Sequence, residues 1–332
     1  MRILLVTDAW HPQVNGVVRT LDKLQSILTA QGHEVLAVTP DQFAGIPCPF
    51  EPQVRLALRP GPALRRHLEA FRPEAVHIAT EGPLGLAARQ LCVRLGLPFT
   101  TAYHTRFPEY LHVRLGVPEW LTYRWLRWFH GAAAGIMVTT ASLRRELQQR
   151  GFAHLLAWCR GVDTELFRPQ AGPALPYPRP IMLYVGRLAP EKNLEAFLKL
   201  PLPGSKVLVG DGHFLPALRR RHPEAHFLGE HFGEDLARLY SGSDVFVFPS
   251  RTDTYGLVLL EALACGVPVA AFPVPGPLDV LEGAPVGCLD EDLATAISGA
   301  LRIDRARCRA YALDFSWERC AEQFVANLRP IA

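Results

Sequence analysis

Short apolar runs, each ending in a polar or glycine-bearing loop and followed by an amphipathic stretch, constrain the fold of this chain more than any other feature. Residues 2–7, 76–79, 98–103 and 136–140 are such runs in the first half. Residues 181–185, 206–209, 225–228, 244–249 and 267–272 repeat the pattern in the second. Apolar runs this short, without alternation, suit strands covered on both faces. Strand, loop, helix, strand is a βαβ unit, so an α/β fold with a parallel sheet in each half is expected. A chain of 332 residues is long for one core, and Gly172, Pro173, Pro176, Pro178 and Pro180 crowd between the halves. The expected domains are therefore 1–172 and 173–332, with the last helix a candidate to cross back to the first.

Composition narrows the class. Charged residues at 20% and hydrophobic ones at 49% fit a folded enzyme rather than a disordered chain. A net charge of +3 is too small to argue for nucleic acid, though it leaves room for local basic patches near anionic lipid. The seven cysteines are odd in number, scattered and without a C-x-x-C pair, which argues against a disulfide framework or a zinc site and for a reducing compartment. The apolar run at the N-terminus is too short for a signal peptide, and no run reaches the length of a bilayer span. The expected location is the cytoplasm, with peripheral contact at the inner face of a membrane as the open alternative. Two stretches bear on that alternative. Leu64–Arg72 reads as a basic amphipathic helix, for which a solvated face is the favoured reading. Residues 118–131 mix Trp120, Tyr123, Trp125, Trp128 and Phe129 with Arg124 and Arg127, and suit either an interfacial helix or packing.

The chemistry concentrates in Pro249–Val269, read as a strand end, a polar loop, a helix opening near Gly256 and a turn at Gly266. Amide groups at that helix start favour a phosphate. Eight helical positions from Asp253 to Glu261 would span ~12 Å, about the reach from sugar to ribose in a nucleotide sugar. Glu261 is then a ribose ligand or a solvated helix residue, and Asp253 a sugar ligand or an ordinary N-terminal acid. His104 lies just beyond a strand's carboxyl end, where open α/β sheets bind ligands. Imidazole there can donate to a sugar hydroxyl and titrates near neutrality. Arg187 and Lys192 sit in a loop between strand and helix, placed for two phosphates or as plain surface charges. Gly16 allows a ligand close to the backbone, or simply follows Asn15 as a helix cap.

Gly256-Leu257-Val258, Leu260-Glu261-Ala262 and Gly266-x-Pro268-Val269 resemble the signature helix of retaining glycosyltransferases of family 4, which have the GT-B fold. Gly186-Arg187-Leu188-x-x-x-Lys192-Asn193, Gly210-Asp211-Gly212, Gly161-Val162-Asp163-x-x-x-Phe167-x-Pro169, the segment from His104 to Tyr110 and Asp8-x-x-x-Pro12-x-x-Asn15-Gly16 are similar to that family's other motifs, in the same order. The resemblance implies two Rossmann-like domains facing across a cleft, with the nucleotide sugar mainly on the second. It implies that Arg187 and Lys192 hold the diphosphate, Asp253 the sugar hydroxyls, Glu261 the ribose, and His104 the sugar from the opposite domain. Gly16, Gly210, Gly212, Thr254, Tyr255, Gly256 and Leu257 would complete the donor site. The family's similar Trp/Arg helix is part of its core, which favours packing for residues 118–131. No cofactor is implied. No metal is implied either, since two cations face the phosphates and no D-x-D motif of the metal-dependent type is present.

The run Arg251-Thr252-Asp253-Thr254-x-Gly256 is most similar to the mannosyl- and glycolipid-forming branch, which implies GDP-mannose as donor and a lipid or glycan as acceptor. The alternatives are a UDP-sugar donor, a non-catalytic nucleotide-sugar-binding protein, or an epimerase of similar fold. Three departures stand out: Asp253 replaces the usual Glu, His213 stands where Pro is common, and Pro273–Pro277 replaces a glycine-rich turn.

Overall fold

The apolar runs pair in parallel, as the pattern predicts. A computed structural model describes residues 1–13, 16–48, 51–104, 106–170, 175–251, 255–281 and 283–331, with the backbone alone at 51–53, 110, 113 and 114. Asp253, Thr254 and Asn15 lie outside the described residues. The chain divides into two compact units, Met1–Arg160 with Trp317–Ala332, and Gly161–Ser316.

The first unit runs β1 (Arg2–Val6), α1 (Gly16–Ala30), β2 (Glu34–Val38), β3 (Gly45–Cys48), β4 (Glu51–Ala57), α2 (Gly61–Phe71), β5 (Ala75–Ile78), α3 (Pro83–Leu95), β6 (Thr100–Tyr103), α4 (Phe107–Leu115), α5 (Glu119–His130), β7 (Gly135–Val138), α6 (Ala141–Gln149) and β8 (Leu155–Ala157). Its sheet has the order β2-β1-β5-β6-β7-β8, every pairing parallel. Strands β5, β6 and β7 are buried along their whole length, the signature of a sheet covered by helices on both faces. The β3/β4 hairpin, helix α4 and strand β8 escaped the sequence reading. The β3/β4 hairpin has Pro47 and Pro52 within its strands, so no clean alternation announces it. Helix α4 follows the His104 segment directly. Thr140 caps α6 by accepting the Leu143 amide with its hydroxyl.

The second unit runs β9 (Ile181–Val185), α7 (Leu194–Leu198), β10 (Ser205–Val209), α8 (Leu215–Arg221), β11 (His226–Gly229), α9 (Gly233–Gly242), β12 (Val245–Phe248), α10 (Leu257–Ala264), β13 (Val269–Ala271), α11 (Pro275–Leu281), β14 (Gly287–Leu289), α12 (Leu293–Ala300) and α13 (Arg305–Leu313). Its parallel sheet has the order β11-β10-β9-β12-β13-β14, the doubly wound arrangement of a dinucleotide-binding fold. The order reverses between β9 and β12, which pair at Val245 with Met182 and Phe246 with Leu183. Pro275 and Pro277 open α11 rather than a turn, since proline's fixed φ suits a first helical turn.

The units meet at 160/161 rather than at the expected 172/173. Val162 and Phe167 are buried in the second unit's core, and the Val162 amide donates to Phe315 O. Arg309 fastens the same segment by donating to Thr164 O and Phe167 O. Pro176, Pro178 and Pro180 therefore lie within the second unit and lead into β9. Helix α14 (Trp317–Asn327) belongs to the first unit, where Trp317, Cys320, Ala321 and Phe324 bury against Ile3, Leu5, Leu24 and Trp158.

Candidate active site

In an open α/β sheet, ligands bind beyond the carboxyl ends of the strands where the strand order reverses. In the second unit that position is flanked by the loop after β9, carrying Arg187 and Lys192, and the loop after β12, leading to Gly256. The two loops are tied together. Asn193 Nδ2 donates to Pro249 O at 3.1 Å. Asn193 sits in the left-handed region at φ 54°, which turns the chain directly from the 190–192 turn into α7. The cationic loop is braced from below as well, by the buried Tyr184 hydroxyl donating to Arg187 O at 3.0 Å.

The glycine turn after β10 packs on the same loop through backbone. Leu188 N donates to Asp211 O at 2.8 Å, and Gly186 N to Val209 O at 2.9 Å. A Cβ on Gly210 would stand 2.1 Å from Gly186 O, and one on Gly212 would stand 2.3 Å from Leu188 O. Both glycines are thus required for loop-on-loop contact, a structural role independent of any ligand. Asp211 closes its own turn by accepting the Gly212 amide.

Helix α10 starts at Leu257, with Gly256 at φ 80° as its first flanking residue and no acid in its first turn. Its residues from Leu259 to Ala264 are all buried, as expected of a helix apolar all round. Tyr255, Gly256 and Leu257 are half-buried at its tip. Glu261 is four steps into the helix, ~6 Å along its axis, and only 4% exposed. Tyr240 of α9 donates its hydroxyl to Glu261 Oε2 at 3.0 Å, inside the core. The solvated reading of Glu261 is therefore excluded. Arg187 is exposed and pairs with Glu191 at 3.0 Å, while Lys192 is half-buried at the end of its turn.

In the first unit, His104 follows β6 at the sheet's carboxyl edge. Arg160, which is 5% exposed, donates to His104 Nδ1 at 2.8 Å and lies 4.3 Å over the Trp158 ring. Burial, then the charge of Arg160, then the neighbouring His77 and His130 hold the His104 pKa well below its ordinary value. This corrects the expectation that His104 titrates near neutrality: the ring stays neutral. Two further histidines share the region. His77 Nδ1 is 2.8 Å from Thr100 Oγ1, and His130 Nδ1 is 2.9 Å from Thr101 Oγ1. Gly16, the first residue of α1, is exposed, and its added Cβ would meet nothing within 4 Å.

Sequence reasoning missed Tyr240 and Arg160, and named Asp8 within a motif without its partners. Asp8 is buried and accepts from Leu84 N at 2.8 Å, Gly85 N at 3.0 Å and Thr80 Oγ1 at 3.0 Å, so it caps α3 and joins the β1 and β5 exits. Its place after a central strand was visible; its partners, more than 70 positions away, were not. Helix α5 has two faces. Tyr123, Leu126 and Phe129 are buried, whereas Trp120 is 65% exposed and Trp128 49%, beside exposed Arg124 and Arg127. Among the described residues, no helix is long and apolar enough to cross a membrane.

A family model described as glycosyltransferase family 4 matches residues 14–166, and one described as glycosyl transferases group 1 matches residues 179–302. A GDP-mannose-dependent alpha-mannosyltransferase of Mycobacterium tuberculosis is 30% identical over 368 aligned residues, spanning 100% of this chain and 97% of its own. A GDP-mannose-dependent alpha-mannosyltransferase of Mycolicibacterium smegmatis is 31% identical over 315, covering 87% of this chain and 84% of its own. Among solved structures, the sucrose-phosphate synthase of Thermosynechococcus elongatus superposes with a TM-score of 0.77 at 22% identity, over 98% of this chain and 97% of that one. With its two Rossmann-like units and both halves of its length matched, the chain belongs to glycosyltransferase family 4, is a glycosyltransferase, and has the GT-B fold.

Proposed function

We propose that this enzyme transfers mannose from GDP-mannose, with retention at the anomeric carbon, to a lipid or glycan acceptor. The observation that carries the reading is the Asn193 to Pro249 bond, which holds the Arg187/Lys192 loop against the loop entering α10 at the reversal of strand order. Two cations on one of these loops and a helix start after the other suit a pyrophosphate. Arg187 and Lys192 take up the negative charge that grows on the departing diphosphate, so no metal is required for that task. Amides at Gly256 and Leu257 add to this. Glu261 accepts from the ribose while Tyr240 holds its carboxylate in place. Tyr255, Thr254, Gly16, Gly210 and Gly212 line the donor, Asp253 binds the sugar hydroxyls, and His104 donates to the sugar. The two mannosyltransferase relatives support the choice of base and sugar.

The outer face of α5 supports a lipid acceptor. Tryptophan and arginine together suit the headgroup region of an anionic bilayer, in keeping with peripheral contact at the inner face of a membrane. Vesicle flotation tests this: Trp120→Ser with Trp128→Ser should abolish binding to anionic vesicles, and wild-type protein that never floats would remove the membrane from the proposal.

The donor is tested by thermal shift with GDP-mannose, UDP-glucose and ADP-glucose, since a ligand at 100 times its Kd stabilises by about 2.7 kcal/mol. GDP-mannose should raise the midpoint most. A larger shift with UDP-glucose would move the assignment to a UDP-sugar enzyme, and stabilisation by GDP-mannose without transfer would favour a binding protein.

A further inference from the structure

His104 makes its hydrogen bond with a residue that cannot accept one. Guanidinium has five donors and no lone pair to offer, so the 2.8 Å contact from Arg160 requires a bare Nδ1 on the imidazole. A neutral ring with Nδ1 bare carries its proton on Nε2. That atom is closed to solvent and has no hydrogen-bond partner among the described residues, although the residue as a whole is half-buried. Arg160 is itself fixed by stacking on Trp158, whose indole N–H donates to Cys320 O of α14 at 3.1 Å. The arrangement is a rigid chain ending in one unsatisfied donor.

We propose that Arg160 is a positioning residue that locks His104 in the neutral, Nε2-protonated form, so that His104 gives a neutral hydrogen bond to an oxygen of the transferred sugar. The proposal rests on the glycosyltransferase reading above, in which His104 faces that sugar. The sugar oxygen reaches Nε2 only when the side chains over it part, so the contact forms on donor binding. Neutrality has a chemical purpose. As the diphosphate departs, positive character grows on the sugar, and an imidazolium beside it would oppose the reaction, whereas a neutral N–H does not. The surroundings enforce this. Arg160, from the segment after β8, holds a fixed positive charge against the buried ring, with His77 of β5 and His130 of α5 nearby. The acidic group nearby, Glu81, stands 3.2 Å from His130 Nε2.

The test is nitrogen NMR on protein labelled with [15N]histidine, with His104 assigned from the spectrum of His104→Gln. Wild-type His104 should show a protonated Nε2 and a bare Nδ1, without titration between about pH 5.5 and about 8. Arg160→Met removes the donor and the charge while keeping volume. It should mix the two tautomers, move the ring toward ordinary titration and lower kcat about tenfold or more, with KM little changed and a new acid limb in the rate profile. Arg160→Lys restores a donor and a charge, and should recover the tautomer and part of kcat. A wild-type ring protonated on Nδ1, or titrating like an exposed histidine, overturns the lock even if Arg160→Met does not fold. Tautomers that mix in Arg160→Met with kcat unchanged overturn the role at the sugar instead, leaving the donor thermal shifts to judge the glycosyltransferase reading separately.

Discussion

The Tyr240 hydroxyl donates to Glu261 Oε2 at 3.0 Å, with both side chains inside the core of the second unit. A glutamate only 4% exposed does not stay there for solubility; it is held where α9 and α10 meet. Its partner converts a costly buried carboxylate into a fixed acceptor. Tyr240→Phe should therefore cost about 1–3 kcal/mol and lower the thermal midpoint by about 2–8 °C. Glu261→Gln should instead leave folding largely intact and weaken donor binding about tenfold, as loss of a charged hydrogen bond to ribose would. Melting curves with and without GDP-mannose separate the two, and a full donor shift in Glu261→Gln would remove Glu261 from the donor site.

Lys192 and Arg187 lie on the same loop but differ in surroundings. Lys192→Ala should cut kcat by well over tenfold, since losing a charge that stabilises the leaving diphosphate costs more than about 1.4 kcal/mol. Arg187→Ala should show a comparable loss of activity while changing stability by less than about 0.5 kcal/mol. Its pairing with Glu191 is at the surface, at 54% and 45% side-chain exposure, and contributes little. Initial rates and urea midpoints measure both, and unchanged rates in Lys192→Ala would place the diphosphate elsewhere.

Asn193 serves through both its backbone and its amide. At φ 54°, alanine is strained, whereas glycine is not. Asn193→Ala should lose about 1–3 kcal/mol, combining strain with the lost bond to Pro249 O. Asn193→Gly should recover part of that stability, yet still raise the KM for donor several-fold because the two loops are no longer tied. Equal KM values for Asn193→Gly and wild type would show that the bond does not align the site.

Acid should loosen the first unit. Burial, reinforced by Arg160, lowers the His77 pKa to about 3, and the same causes hold His104 well below its ordinary value. Both rings are neutral when folded and become protonated when unfolded below about pH 6.5. The His77 contribution is complete above about pH 6.5 and is lost as pH falls toward about 3, at up to about 1.4 kcal/mol per pH unit, and His104 acts in the same direction. Urea unfolding from about pH 7.5 to about 4.5 should show this slope, and His77→Gln should reduce it by about one proton. A stability flat across that range would mean that water reaches these rings.

Much of this protein was legible from its residues in order. The apolar runs located most strands of the two six-stranded sheets, because a strand buried on both faces must be apolar throughout, and that requirement is local. Gly186-Arg187, Gly210-Asp211-Gly212 and Gly256 marked the turns beyond β9, β10 and β12, because only glycine tolerates such close backbone contact or positive φ. The domain boundary was misplaced because prolines mark irregular backbone, whereas a unit ends where burial ends, and Val162 and Phe167 are buried in the second core. Partners distant in sequence were decided only by the fold: Tyr240 for Glu261, Arg160 for His104, and Thr80, Leu84 and Gly85 for Asp8. A side chain's chemistry is written in its identity, but its charge state and hydrogen bonds depend on which neighbours exclude water from it, and those neighbours are assembled only when the sheets and helices pack.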